Sequence, residues 1–246
     1  MRNLHDHSTV ATTAFTNDAL PIESGKRNIP MQQLLLDAYD KMNDHYGDLG
    51  WWPAVHGWEV AVGAILTQNT TWRNTSKAIE ALRQLDLLRT PAALLFAESA
   101  KIENAIKPCG YFRQKTKKLK ILAAVIYHSY GDDIELLKNR EANSLRADLL
   151  RLWGIGNETA DSILLYALGK PVIVVDAYTI RILARHGFCD AKAGYNEVQS
   201  LLEQSFAGDV ARLQQLHALF VCLGKDFCRK SFPRCAECPL RGISND

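Results

Sequence analysis

The chain has 246 residues, enough to bury one large hydrophobic core or two modest ones. Apolar residues make up 47% and charged residues 23%, the balance of an ordinary globular protein. The net charge is only +2, so composition alone does not announce a nucleic-acid partner, and no apolar run reaches the length of a membrane span.

Residues 1–28 are polar, rich in Ser, Thr, Asn and Asp, and without period. They lack the apolar centre of a signal peptide and are too acidic for a transit peptide, so they read as a flexible extension of a cytoplasmic protein. That compartment disfavours disulfides, which makes clustered cysteines metal ligands first. Pro30 suits a helix entry, where its missing N–H does no harm. From Met31, MQQLLLDAYDKMNDHYG predicts an amphipathic helix ending at Gly47. The aromatic loop GWWPAVHGW follows, then EVAVGAILTQNT, apolar through Leu66 and polar from Thr67. Helical spacing continues over Asn74–Leu85, Pro91–Leu95, Ser99–Ile106 and Arg113–Tyr130. Lys115, Lys117, Lys118 and Lys120, in the last of these, read as a solvated helix face. Asn143–Leu152 leads into a glycine-containing hairpin; Thr159–Leu168 leaves it and stops at Gly169-Lys170-Pro171. Val172–Val175 is too short to anchor a sheet and reads as a buried extended connector. Helices over Asp176–His186, Tyr195–Phe206 and Val210–Leu223 complete an all-α chain with no solenoid-type repeat.

Leu149–Arg181 carries the most chemistry. Gly154-Ile155-Gly156 lets the backbone turn tightly and expose successive amides. The helix that follows offers free N–H groups and a positive dipole end, which favour an anion such as phosphate. Asp176 places one carboxylate beside that grip. Its bland role, the N-cap of the next helix, is compatible with the functional one, because a capping bond fixes the direction of the carboxylate. A phosphate grip beside a lone carboxylate points to chemistry on a nucleic acid.

LxxLWGIGxxTADxIL followed by VVDAYTxR resembles the helix-hairpin-helix and Asp motifs of the endonuclease III superfamily of DNA glycosylases. WWP, EVxVGAILTQNTxW and VVDxY are similar to its 3-methyladenine DNA glycosylase branch of the endonuclease III type, and the resemblance runs from about Met31 to Leu240. It implies a two-domain helical fold. A six-helix barrel would cover residues 59–170, residues 29–58 plus 171–246 would form the second domain, and double-stranded DNA with a damaged base would lie between them.

By this resemblance Asp176 is the catalytic carboxylate. Gly154, Gly156, Glu158 and Thr159 hold DNA phosphate, Gln68 and Asn69 fill the gap left by a flipped nucleotide, and Trp52, Pro53, Trp72 and Tyr178 form the base pocket. At least one of Trp51 and Trp58 is expected in the core. Strand-cleaving members carry Lys where this chain has Glu158, and a carboxylate cannot form the imine that such cleavage needs. The expectation is a monomeric, monofunctional glycosylase acting on alkylated purines. The alternatives are a bifunctional glycosylase/abasic lyase for oxidised or mismatched pyrimidines, and an inactive DNA- or lesion-binding module.

Cys228-x6-Cys235-x2-Cys238 matches three ligands of the family's iron–sulfur motif, with Arg229 and Lys230 as basic residues for DNA phosphate. The resemblance therefore implies a [4Fe–4S] cluster, but Ser244 stands where the family has its fourth cysteine. Cys222 as a substitute ligand, a serine oxygen, a three-cysteine cluster, no cluster, and zinc stay open. Cys109 and Cys189 read as ordinary core or surface cysteines.

Overall fold

The computed structural model describes residues 29–52, 54 and 56–244. The expectation for residues 1–28 and the pocket role of Pro53 lie outside the described residues. Among those described, every regular element is helical. In chain order these are α1 (Met31–Tyr46), α2 (Gly57–Leu66), α3 (Trp72–Gln84), α4 (Pro91–Phe96), α5 (Ser99–Ile106) and α6 (Phe112–Tyr130). They continue with α7 (Ala142–Leu150), α8 (Asn157–Ser162), α9 (Ala177–Arg185), α10 (Tyr195–Glu203) and α11 (Val210–Asp226). Short 3-10 turns occupy Lys107–Cys109, Ile134–Asn139 and Cys235–Glu237. No described helix is long and apolar enough to cross a membrane.

Local chemistry explains the boundaries. Thr71, Thr90 and Asp209 each accept from backbone amides at the starts of α3, α4 and α11. Gly131, in the left-handed region, closes α6. The segment expected to be one helix over Thr159–Leu168 begins earlier, at Asn157, and ends differently. Ile163–Ala167 widens into a π turn, with the Leu168 amide returning to the Ile163 carbonyl. That turn sends Leu164 into one core and Leu165 into another, while Tyr166 packs against both. Periodicity alone cannot forecast such a widening.

The buried apolar residues form two clusters. One is built on α2–α8, and Trp52, Ala54 and Trp58 pack into it. The other joins α1, Ile173–Val175, α9, α10, α11 and Leu240. The α2 helix is apolar on all sides because it runs through the centre of the first cluster, with all its residues except Gly57 buried. Trp58 is a core residue at 2% exposure.

Lys115 corrects the expectation of a solvated lysine face. It is 2% exposed and donates to the carbonyls of Leu66 (3.0 Å) and Cys109 (2.8 Å). It thereby ties the end of α2 to the turn before α6, contacts that no pattern within α6 itself encodes.

One buried carboxylate joins the two clusters. Asp161 on α8 has no exposed side-chain surface. Arg146 on α7 donates to both its oxygens (2.6 and 3.0 Å). Tyr195 and Gln199 on α10 donate to Oδ2 at 2.7 and 3.0 Å. The Tyr195 hydroxyl also accepts from the Val175 amide, and Gln199 donates to the Ile173 carbonyl. Asp161→Asn leaves Arg146 without its anion, so it is expected to destabilise the fold by about 3 kcal/mol or more, measured by urea unfolding.

Candidate active site and nucleic-acid interface

Where the two clusters meet, a cavity of about 660 Å³ opens to the surface. Trp51, Trp52, Trp72 and Tyr178 supply its aromatic walls, and Glu158 and Asp176 line it. Trp52 stands edge-on to Trp72 with ring centres 5.3 Å apart and packs against Tyr166 at 5.2 Å. Gly63 leaves room for it, since a Cβ there would come within 3.1 Å of the Trp52 ring. Tyr178 depends on Gly224 in the same way: a Cβ at Gly224 would fall 2.3 Å from its ring.

Asp176 is the N-cap of α9 and 8% exposed. Its Oδ1 accepts from the Thr179 amide (2.8 Å) and the Thr179 hydroxyl (2.9 Å), and the Asp176 amide donates back to that hydroxyl. This reciprocal cap anchors Oδ1. Oδ2 is left facing His217, whose Nε2 lies 3.8 Å away. Glu158 is open to the cleft by surface area. The cleft walls nevertheless desolvate its carboxyl, and together with the Asp176 charge they push it up to about 7. For its charge the shielding matters more than the surface area, because water in a narrow cleft screens less than bulk solvent.

The hairpin borders the same cavity. Gly154 has φ +85, and a Cβ there would lie 2.4 Å from Lys118 Cε, so glycine is required both conformationally and sterically. Gly156 precedes α8 with open space around it, and no side chain caps that helix. Gln68 donates to the Gly154 carbonyl (3.1 Å) and the Thr159 hydroxyl (2.9 Å) and accepts from Lys118 Nζ (2.5 Å). Its amide is thus spent on holding the hairpin. Asn69, exposed and left-handed at φ +54, faces outward beside it. Tyr111, 66% exposed, shares a second hollow with Asn69.

Sequence reasoning missed Lys118, His217 and Lys225, which line the cavity, and Tyr166, which packs behind Trp52. For His217 a signal existed: one imidazole in the otherwise apolar run HALFVCLG. For Lys118 there was none, since its role comes from a partner 50 residues away.

Cys228 is buried just beyond α11, Cys235 is exposed in the last 3-10 turn, and Cys238 is half-buried. Burial, together with nearby Cys228 and Cys235, pushes the Cys238 thiol up. Arg185 donates to Cys228 Sγ (3.3 Å) and to the carbonyls of Arg229 and Lys230, and Arg181 donates to the Cys228 carbonyl. Burial pushes the Cys222 thiol on α11 up, with Lys225 opposing the shift and Asp226 adding to it. Among the described residues no three His, Cys, Asp or Glu side chains converge on a site for a single metal ion. The loop supplies three thiols, the donor type that iron–sulfur clusters take.

The model of the HhH-GPD superfamily base excision DNA repair protein matches residues 62–207. The Methanocaldococcus jannaschii protein MJ1434, a DNA repair glycosylase by name, is 41% identical over 85% of this chain and 94% of its own length. An endonuclease III in a non-covalent DNA complex superposes with TM-score 0.75, covering 88% of this chain and 96% of that one at 22% identity. The Helicobacter pylori 3-methyladenine DNA glycosylase bound to 1,N6-ethenoadenine gives TM-score 0.68 over 79% of this chain and 97% of that one, at 27% identity. The chain belongs to the HhH-GPD superfamily and is a base-excision repair DNA glycosylase.

Gly154→Ala is expected to lower stability by about 1–2 kcal/mol in a thermal melt. It should also weaken binding to duplex DNA in a fluorescence-anisotropy titration.

Proposed function

We propose that the enzyme is monofunctional: it flips an alkylated purine into the cavity and hydrolyses its N-glycosidic bond. The observation that carries this reading is the pairing of Asp176 with Glu158 beneath aromatic walls. Alkylated purines bear positive charge, and aromatic faces attract cations and stack on bases. Trp52, Trp72 and Tyr178 supply those faces. As the bond to the base lengthens, positive charge grows on the sugar, and Asp176 Oδ2 stabilises it. The C1′–N bonding pair leaves with the cationic base and neutralises it; water bonds to C1′ and gives up one proton to solvent, and the products are the free base and an abasic site. Asp176 supplies the fixed charge; Glu158, a carboxylate at the lyase-lysine position, offers no amine for an imine.

The two core clusters serve as the two domains, with double-stranded DNA lying in the groove between them and a single chain sufficient for binding. The α8 amides around Gly156, Glu158 and Thr159 take the phosphate, whose contacts set register without reading sequence. Gln68 holds the hairpin while Asn69 enters the gap left by the flipped nucleotide. The similarity to the Helicobacter pylori enzyme, and the position of Glu158, support alkylated purines over oxidised pyrimidines.

A second reading, abasic lyase activity, draws on Lys118 and Lys225, two amines that line the cavity. Borohydride trapping on damaged duplex separates the two: little or no covalent adduct is expected, and a strong adduct at native rates would establish the lyase. In the same assay series, Asp176→Asn is expected to abolish base release while DNA binding survives. Activity retained by that variant would contradict the role of Asp176.

A [4Fe–4S] cluster suits Cys228, Cys235 and Cys238, with the fourth corner left to Ser244 or Cys222. When bound, it would cross-link the loop and hold Arg229 and Lys230 toward phosphate. Freshly purified protein is expected to carry iron and visible absorbance that Cys235→Ser removes. Colourless, iron-free protein would refute the cluster.

A further inference from the structure

His217 is a buried titratable group of the cavity wall that the proposed chemistry leaves unused. It sits in the middle of α11, 8% exposed, and lines the cavity. Its Nδ1 is 2.7 Å from the Tyr166 hydroxyl, and its Nε2 is 3.8 Å from Asp176 Oδ2. Tyr166 has one proton to give, and two acceptors compete for it: His217 Nδ1 at 2.7 Å and the Gln214 carbonyl at 3.2 Å. Donation to Gln214 would require Nδ1 to carry the imidazole proton. The lone pair of Nε2 would then face a carboxylate, an unfavourable arrangement. Donation to Nδ1 instead puts the proton on Nε2 and aims it at Oδ2. The shorter distance and the electrostatics select the same tautomer.

We propose that His217 is a positioning residue for Asp176: its neutral imidazole, oriented by Tyr166, directs the free oxygen Oδ2 toward the flipped nucleotide and leaves the carboxylate charged. This rests on the reading of Asp176 as the reacting carboxylate. Asp176 otherwise has only half its alignment fixed, because the Thr179 cap engages Oδ1 alone. At 3.8 Å the Nε2–Oδ2 contact is longer than a hydrogen bond. Such contacts often tighten only when substrate is bound.

Neutrality of His217 is essential to the role. An imidazolium beside Asp176 would cancel the negative charge on which the developing sugar cation depends. The charged and titratable groups facing His217 come from four other positions. Asp176 lies at the start of α9, Glu158 on α8, Tyr166 on the π turn, and Lys225 two turns along α11; Lys118 of α6 lines the same cavity. Burial holds the imidazole below its ordinary value, Asp176 opposes that shift, and Lys225 adds to it. As pH falls, His217 therefore takes its proton below the ordinary histidine range, and base release is lost there. Glu158 titrates higher, around 7, so its contribution forms a separate inflection that Glu158→Gln removes.

The test is the single-turnover rate of base release against pH, on a duplex carrying one alkylated purine, for wild type, His217→Gln, His217→Leu, Tyr166→Phe and Asp176→Asn. Gln keeps a neutral donor that cannot be protonated. His217→Gln is expected to retain most of the rate above neutrality and to lose the inflection at lower pH. His217→Leu is expected to slow base release on the order of 10²-fold, the scale of a misplaced reacting group, with unchanged binding to a duplex holding an abasic-site analogue. Tyr166→Phe should fall between them. A role confined to packing would instead shift the melting temperature and leave the pH profile in place. The proposal is overturned if His217→Gln keeps the low-pH inflection or if His217→Leu keeps the full rate. Should His217→Leu not fold, His217→Gln decides alone. If Asp176→Asn remains active, the reading of Asp176 itself fails, which is a result distinct from an inactive Asp176→Asn beside a fully active His217→Leu.

Discussion

Asp161 fixes the geometry on which the rest of the site depends. A carboxylate with no solvent exposure is stable only when its partners satisfy it, and here Arg146, Tyr195 and Gln199 do so from three directions. Arg146 belongs to the helix that enters the hairpin, and Tyr195 and Gln199 belong to the opposite core. Two of these partners also hold the connector just before Asp176, through the Val175 amide and the Ile173 carbonyl. The hairpin and the Asp176 carboxylate are thus positioned by one network, on either side of the cavity.

Within that frame the cavity gives its two carboxylates different surroundings. Asp176 has one oxygen locked in a capping box and the other turned toward His217, an arrangement suited to a fixed negative charge. Glu158 has no such donors and lies under the field of Asp176, so it is readily protonated near neutrality. A carboxylate at this position offers no amine for an imine. Trp51, Trp52, Trp72 and Tyr178 complete the cavity with aromatic walls.

The parts legible in the sequence were those set by local rules. The Gly154 turn follows from the positive φ that only glycine adopts easily, and the Asp176 cap from an Asp three residues before Thr179. Helix positions followed from apolar spacing, because each helix buries one face. What escaped depends on distant partners. The Gln68 amide is held by groups 86 and 91 residues away, a contact with no local signal. Lys115 looked solvated but reaches the end of another helix, and the π turn that shares its residues between two cores has no local signature.

The most direct measurement is base release from a duplex carrying a single alkylated purine, resolved from strand scission by comparing samples with and without alkali. Monofunctional hydrolysis at Asp176 gives free base and an intact strand that breaks only on alkali treatment. Strand breaks that accompany base release before alkali would contradict it, as would base release that survives Asp176→Asn.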